Sequence, residues 1–209
     1  MKRIARWTVF VIVIVGILAL INRSDSLKVT EPVENTMFVQ TETKNNSELT
    51  VEDLREILLR FKQEVAPNIQ GELEQTLAER MYVASIQFDK SIDVDQLISR
   101  AINQAKFERA WVSYAKDTYG VVVTDEEVDE WIEKGPDATV LPSQKRLAEA
   151  KEISVYELNH NLYRDQYIKW VLWEELIPLI TERYEETTDQ VLDNNRLIEL
   201  YEGEVRSTL

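Results

Sequence analysis

From about residue 50 onward, the apolar positions of this chain recur at intervals of three and four residues, the spacing of one face of an α-helix. The first stripe follows the Thr50–Asp53 pair and continues from Leu54 to Val65. Pro67 ends it, because a proline interrupts the hydrogen-bond ladder of a helix. A second stripe, from Ile69 to about Phe88, predicts another helix.

A long third helix is predicted to begin at Asp93 or Asp95 and to end at Tyr119. A shorter helix over residues 125–134 follows it, and the Gly135-Pro136 pair stops that helix. The predicted buried side of the long helix consists of Leu97, Ala101, Ile102, Ala105, Val112 and Ala115.

Three further helices are predicted in the C-terminal half. A short one spans about residues 143–151, and a long one opens at Ser154 and continues through Ile180. Pro178 should kink or interrupt the long helix. A final helix is expected over about residues 189–202, ending at Gly203 with a frayed tail. Patterns typical of strands are almost absent, so the predicted fold class is all-α.

The stretch from Lys106 to Ile132 carries the clearest local signals. Gly120 follows the predicted end of the long helix, and glycine readily takes the left-handed conformation that ends a helix. Thr124 and Glu127 form a capping-box pattern, in which two side chains satisfy backbone donors at a helix start. The stretch therefore predicts a helix, a glycine stop, a short apolar connector and a capped second helix.

This arrangement resembles the helical, non-isomerase part of SurA-type and PrsA-type secretion chaperones. The residues that carry the resemblance are the glycine stop, the valine connector and the Thr124-Asp-Glu-Glu-Val-Asp129 cap. A second similar block comprises residues 147–158, with the Ser154–Glu157 capping box, and the following segment 163–172. The resemblance covers roughly residues 95–180. It implies a multi-helix module, similar to the SurA N-terminal domain, that handles polypeptides.

The parvulin-type isomerase domain that such chaperones usually carry has no counterpart in this sequence. That domain needs a β-sheet and catalytic histidines, whereas the chain has one histidine, His160, and almost no strand pattern. Isomerase activity is therefore not expected. The sequence also lacks a recognisable nucleophile pattern, metal-ligand set or cofactor motif, so we predict that the protein is not an enzyme and uses no cofactor.

The charge of the chain disfavours nucleic-acid binding. The formal net charge is −14, and without Lys2, Arg3 and Arg6 the remainder carries 21 basic and 38 acidic residues, or −17. Such a surface repels phosphate backbones. It is typical of a solvated acidic surface, and it would also favour basic partners. The sequence has no cysteine, which excludes disulfide and zinc–thiolate chemistry.

The N-terminal segment predicts a membrane anchor. Trp7 to Ile21 is a run of 15 uncharged residues behind basic residues, which fits a signal-peptide core or a short membrane span. The sequence around Ala19 lacks small residues at both positions that cleavage requires. We therefore predict a signal-anchor over residues 1–22, a flexible polar tether over residues 23–49 and a helical SurA-like domain over residues 50–209.

The charge around this segment predicts its orientation. Basic residues before the span place the N-terminus in the cytoplasm by the positive-inside rule. The protein is thus expected in the cytoplasmic membrane as a single-pass protein, with its C-terminal domain outside the cytoplasm. The alternative is a secreted protein after signal cleavage.

His160 and the acidic run of residues 125–130 are the candidates for polar chemistry. A single histidine cannot supply a two-histidine metal site, so a helix-surface or partly packed role is expected for His160, with catalysis or pH sensing as the alternative. The acidic run lacks the oxygen spacing of an EF-hand loop. Acids at a helix start are favoured by the helix dipole, so we expect capping and predict no metal site.

Aromatic side chains with a polar tip are the candidates for polypeptide binding, because they suit a surface that is both apolar and wettable. The alternative is that they form an ordinary helical core. The candidate polypeptide-binding residues are Trp111, Trp131, Ile132, Tyr163, Tyr167, Trp170 and Trp173.

These observations together predict a membrane-anchored, extracytoplasmic, chaperone-like protein that binds unfolded or extended polypeptide segments. The alternative is a dedicated adaptor that regulates a single cell-envelope protein. A chaperone would suppress aggregation of several unrelated proteins, whereas an adaptor would enrich one partner. The sequence predicts no oligomeric state.

Overall fold

The computed structural model describes residues 49–88, 91–185 and 192–209. These residues form eight helices and contain no strand, which confirms the all-α fold class. A 3₁₀ turn, Ala66–Asn68, follows the first helix, and a π-helical turn, Leu158–Leu162, separates the sixth and seventh. The helices are α1 Val51–Glu64, α2 Glu72–Gln87, α3 Val94–Tyr119, α4 Asp125–Lys134, α5 Pro142–Ala150, α6 Val155–Glu157, α7 Arg164–Glu185 and α8 Asn194–Arg206.

The predicted caps define several of these ends. The Thr124 hydroxyl accepts a hydrogen bond from the Glu127 N–H at 3.2 Å, and the Glu127 carboxylate accepts one from the Thr124 N–H at 2.8 Å. Ser154 opens α6 with the same geometry. Gly120 has φ of 70°, and its N–H donates to the carbonyl of Lys116 as α3 ends. These local predictions are confirmed.

The buried side of α3 differs from the prediction at two positions. Ile102 is 48% exposed and Val112 is 37% exposed. The reason is that α3 contributes to two cores, so no single stripe along it is buried throughout. The N-terminal half buries Leu97, Ala101 and Ala105, and the C-terminal half buries Phe107, Trp111 and Ala115.

The predicted continuous helix from Ser154 is wrong. Helix α6 is only one turn, the π-helical turn follows it, and a regular helix begins again at Arg164. Of the two outcomes predicted for Pro178, a kink or an interruption, the interruption does not occur, because α7 continues through it to Glu185. Pro178 has no N–H to donate to the carbonyl of Glu174. Both residues are exposed, so water can hydrate that carbonyl.

The last helix begins and ends later than predicted. Helix α8 begins at Asn194, behind Asp193, whose side chain accepts a hydrogen bond from the Arg196 N–H at 2.8 Å. Gly203 lies inside α8 instead of ending it. Tyr201 and Val205 on either side are fully buried, so packing holds the helix together across the glycine.

Three groups of buried side chains hold the helices together. The first lies between α1, α2 and the N-terminal half of α3, and α5 packs on α1. The second joins the C-terminal half of α3 to α7 and α8. The third, made of Val128, Ile132 and Tyr167, attaches α4 to the N-terminal part of α7. Each fully buried aliphatic side chain contributes about 1.5–3 kcal/mol to stability. Because the third core buries only two residues of α4, Val128 and Ile132, few such contributions hold this helix in place.

The predicted signal-anchor, residues 1–22, and the tether up to residue 48 lie outside the described residues. Among the helices that the structure describes, none combines the length and the apolar character that crossing a membrane requires.

Candidate functional site

Four of the seven candidate polypeptide-binding residues are core residues. Trp111, Ile132, Tyr167 and Trp173 are buried. The Trp111 ring meets the Tyr201 ring edge-on at 4.8 Å between centroids, and the Tyr201 hydroxyl donates to the Trp111 carbonyl at 2.7 Å. The Trp173 indole N–H donates to Asn194 Oδ1 at 2.9 Å. These contacts give both tryptophans structural roles in the second core.

The other three candidates are half-buried. Tyr163 is covered by the Arg80 guanidinium, which lies 4.7 Å from the centre of its ring. Trp131 packs against Tyr167, with 5.6 Å between ring centroids, and its indole N–H donates to the Glu174 carboxylate at 3.2 Å. Trp170 packs at the junction of the second and third cores. All three are thus partly accessible to solvent, and of the three the Tyr163 ring is the one covered by an arginine.

Trp131 and Trp170 belong to a surface that we call the α4–α7 face. It consists of Val123, Trp131, Trp170 and Glu174. Val123 and both tryptophans pack against the third core, and Glu174 accepts the Trp131 indole N–H. The sequence therefore named two residues of this face, and the connector residue Val123 was not among the candidates.

The π-helical turn carries a polar cluster that the sequence analysis did not identify. His160 is only 6% exposed, and its two ring nitrogens face two carboxylates. Nδ1 lies 3.1 Å from Asp129 Oδ1 on α4, and Nε2 lies 3.0 Å from Asp137 Oδ2 in the loop after α4. Of the two roles expected for His160, on the helix surface or partly packed, the structure shows a packed ring, enclosed between two segments.

Asn159 extends this cluster toward α5. It is completely buried, and its side-chain amide donates to Asp137 Oδ1 at 2.7 Å. Its side-chain oxygen accepts hydrogen bonds from Gln144 at 3.3 Å and from the Tyr167 hydroxyl at 3.2 Å. A buried amide is costly without partners, so these bonds fix the relative positions of the π-helical turn, the α4–α5 loop and α5.

Arg164 keeps the carboxylate of Asp129 in this cluster in its charged form. The Arg164 guanidinium lowers the pKa of Asp129, which outweighs the opposite effect of partial burial. Arg164 also donates to Asp125 Oδ1 at 2.8 Å, so one arginine binds two carboxylates of α4. Burial raises the pKa of Tyr167, so this phenol stays protonated and can donate to Asn159.

These residues are suited to holding helices together, because their hydrogen bonds join separate segments of the chain. In the described part of the chain, no group of three or more histidine and acidic side chains is arranged to hold a metal ion. The hydrogen-bonded partners lie 8 to 39 positions apart in the sequence, from Asn159 with Tyr167 to Arg164 with Asp125, so no local spacing could have revealed them. The signal that was present is Asn159-His160, a polar pair inside an apolar helical pattern.

No protein-family model matches the chain, and neither does any curated protein or solved structure. The resemblance to SurA-type and PrsA-type chaperones therefore stays a prediction from the residues of this sequence.

Proposed function

We propose that this protein binds extended, cationic and apolar polypeptide segments at the α4–α7 face, while its N-terminal segment anchors it at the outer side of the cytoplasmic membrane. The observation that carries the proposal is the pair of half-buried tryptophans, Trp131 and Trp170, which pack with Val123 against the third core. Large rings with an apolar body and a polar edge are enriched where one polypeptide contacts another.

The charge around the face supports a cationic occupant. Residues 125–134 contain six acidic residues and one lysine, and that lysine, Lys134, is paired with Glu130 at 2.6 Å. Glu174, which accepts the Trp131 indole N–H, lies on the adjoining surface of α7. A segment with alternating apolar and basic side chains would bury its apolar groups on the tryptophans while its basic groups approach these carboxylates.

The test is a binding titration of the full chain in detergent micelles. A fluorescently labelled peptide of alternating leucine and lysine should bind, and the same peptide with glutamate in place of lysine should not. Added salt should weaken the binding, because the carboxylates of Glu130 and Glu174 are exposed and salt screens exposed charges. Equal binding of the two peptides would contradict the proposal.

Two variants locate the site. Trp131→Ala and Trp170→Ala should each weaken binding of the basic peptide by about tenfold, the scale of losing one aromatic anchor. Leu59→Ala is the matched control, because Leu59 is an apolar residue 55% exposed on α1, outside the face. Circular dichroism of each variant checks that the helices are retained. An equal loss in the Leu59 variant would indicate non-specific adsorption.

The burial of Trp111, Ile132, Tyr167 and Trp173 favours a second candidate, the single-partner adaptor. It leaves a small apolar surface, which suits one defined segment more than many unfolded clients. The two functions differ in a crosslinking capture from membranes. A chaperone-like protein should capture several unrelated polypeptides and suppress their aggregation, and an adaptor should capture one.

A further inference from the structure

His160 lies between two carboxylates, and this geometry fixes the protonation state that satisfies it. Carboxylates only accept hydrogen bonds, and the two ring nitrogens lie 3.1 and 3.0 Å from carboxylate oxygens of Asp129 and Asp137. A neutral imidazole has one donor and one acceptor nitrogen, whereas the imidazolium ion has two donors. Only the protonated ring can therefore make both bonds at once.

Among the described residues, the charged or titratable groups that contact the ring are Asp129, Asp137 and Tyr156. Asp129 approaches from α4, and it also binds Arg164, which is paired with Asp125. Asp137 approaches from the α4–α5 loop, and its carboxylate also accepts a hydrogen bond from the uncharged amide of Asn159. Tyr156 stacks on the ring from α6, with 3.9 Å between centroids and 16° between planes, and is itself 58% exposed.

The two carboxylates consequently differ in what remains when the ring loses its proton. Asp129 keeps Arg164 as a cationic partner. In the part of the chain that the structure describes, Asp137 keeps the neutral Asn159 amide as the partner of its carboxylate. Whichever nitrogen retains its hydrogen, the lone pair of the other one then faces a carboxylate oxygen at hydrogen-bond distance, which is repulsive.

We propose that His160 is a proton-controlled latch, which holds α4 and the α4–α5 loop against the π-helical turn when the ring is protonated and releases them when it is neutral. Helix α4 has only Val128 and Ile132 as fully buried anchors, so its polar attachments, those to His160 and Arg164, are a large share of what holds it. Release loosens the docking of α4 and leaves the two other cores intact.

The latch also regulates the proposed binding face, and this step rests on the proposed function. Trp131 is carried by α4 and packs on Tyr167 of α7. Loosening α4 changes the distance between Trp131 and Trp170. Binding of the basic peptide should therefore depend on the protonation of His160 as well as on the carboxylates of α4 and Glu174.

The experiment uses the fact that His160 is the sole histidine of the chain, so its signals are unambiguous. Nuclear magnetic resonance of the full chain, labelled at histidine, follows the protonation of the ring directly. In parallel, hydrogen exchange measures protection factors for the α4 amides, with the α2 amides as the internal reference. Protection of α4 relative to α2 should fall roughly tenfold as the ring loses its proton, because hydrogen bonds to charged groups contribute on that scale.

Two variants test the same idea from both partners. His160→Gln removes the titrating group, and relative protection of α4 should then be low and independent of pH. Asp137→Asn keeps the histidine but removes the less compensated carboxylate, and it should reduce the dependence on ring protonation. If His160→Gln fails to fold, Asp137→Asn still answers the question.

If the protection of the α4 amides relative to the α2 amides stays constant while the ring gains or loses its proton, the latch is overturned, whether or not the peptide binds. Protection that changes with the ring, together with no peptide binding at any pH, would support the latch and overturn only the proposed function.

Discussion

The guanidinium of Arg80 and the carboxylate of Asp165, 85 positions apart in the chain, form a paired ion bridge with distances of 2.8 and 2.7 Å. Arg80 lies on α2, and Asp165 lies in the first turn of α7, where the helix dipole also favours a negative charge. Arg80 donates in addition to the carbonyl of Leu162, the last residue of the π-helical turn. One side chain therefore connects the first core to the junction on which the polar cluster is built.

The first prediction concerns this ion bridge. Burial alone would lower the pKa of the Arg80 guanidinium, but the hydrogen bond to Asp165, together with the negative charges around Arg80, raises it overall. Arg80→Ala leaves a partly buried carboxylate and a π-turn carbonyl without their partner. We expect the free energy of unfolding to fall by about 2–3 kcal/mol, measured by urea denaturation.

Arg109→Ala is the matched control for Arg80→Ala. Arg109 also forms a paired bridge, to Glu74 at 2.7 and 2.8 Å, but its side chain is exposed. Exposed ion pairs contribute little, because water and salt screen them. A loss in the Arg109 variant as large as that in the Arg80 variant would mean that burial is not what makes the Arg80 bridge important.

The helix ends that were predicted correctly depend on residues close in sequence. Thr124 and Glu127 are three positions apart, and their mutual hydrogen bonds form in any chain that begins a helix there. Gly120 acts through its own backbone conformation. Such signals are legible in a single sequence because no distant residue is needed to complete them.

The site was only partly predictable for the opposite reason. The sequence shows that Trp111 and Trp131 are aromatic residues on helices, but which of them is covered depends on where α8 and α7 pack. The π-helical turn is stabilised by partners on α2 and α4, and Gly203 stays helical because Tyr201 is buried. These outcomes are set by tertiary contacts, which override local propensity.

A second prediction concerns the stability of the folded protein at acid pH. Hydrogen bonds from the backbone N–H and hydroxyl groups of Thr124 and Ser154 lower the pKa values of Glu127 and Glu157 below the ordinary value of 4.5. The folded state therefore holds these protons less tightly than the unfolded state. This contribution to stability is present above the unfolded pKa and is lost as pH falls through the folded pKa.

Urea midpoints measured from about pH 6 down to about pH 3 should show this decline. Glu127→Gln can still accept the capping hydrogen bonds but does not titrate, so its midpoint should fall less over the same range. Glu126→Gln, an exposed neighbour without a capping bond, is the control for removing one charge from α4. Identical declines in both variants and the unaltered chain would show that the caps do not titrate as described.

A third prediction concerns the stability of the folded protein at alkaline pH. Burial raises the pKa of Tyr184 to about 12, and its hydrogen bond to Glu204, 2.7 Å long, acts in the same direction. The folded state keeps the phenol protonated where the unfolded state, with the ordinary value of 10.0, has released the proton. Stability from this group is complete below the unfolded pKa and is lost as pH rises through about 12.

Tyr184→Phe removes the titrating hydroxyl, so stability should fall less between about pH 8 and about pH 11 than in the unaltered chain. The comparison is between the two pH slopes, because the variant also loses a hydrogen bond at every pH. Absorbance of the tyrosinate ion follows the titration in the same samples. Parallel slopes for the two proteins would assign the alkaline loss to the other tyrosines around Glu204.

The last prediction concerns Glu152, which joins α5 to α6 and has φ of 58°. A residue with a Cβ atom in this left-handed region is strained by about 1 kcal/mol, and glycine is not. We expect Glu152→Gly to raise the free energy of unfolding by about 0.5 kcal/mol, since glycine also adds freedom to the unfolded chain. Glu149→Gly, three positions earlier on an exposed side of α5, should instead lower it by about 1 kcal/mol. Urea denaturation at neutral pH measures both, and a loss in the Glu152 variant would show that this side chain contributes more to the turn than its backbone strain costs.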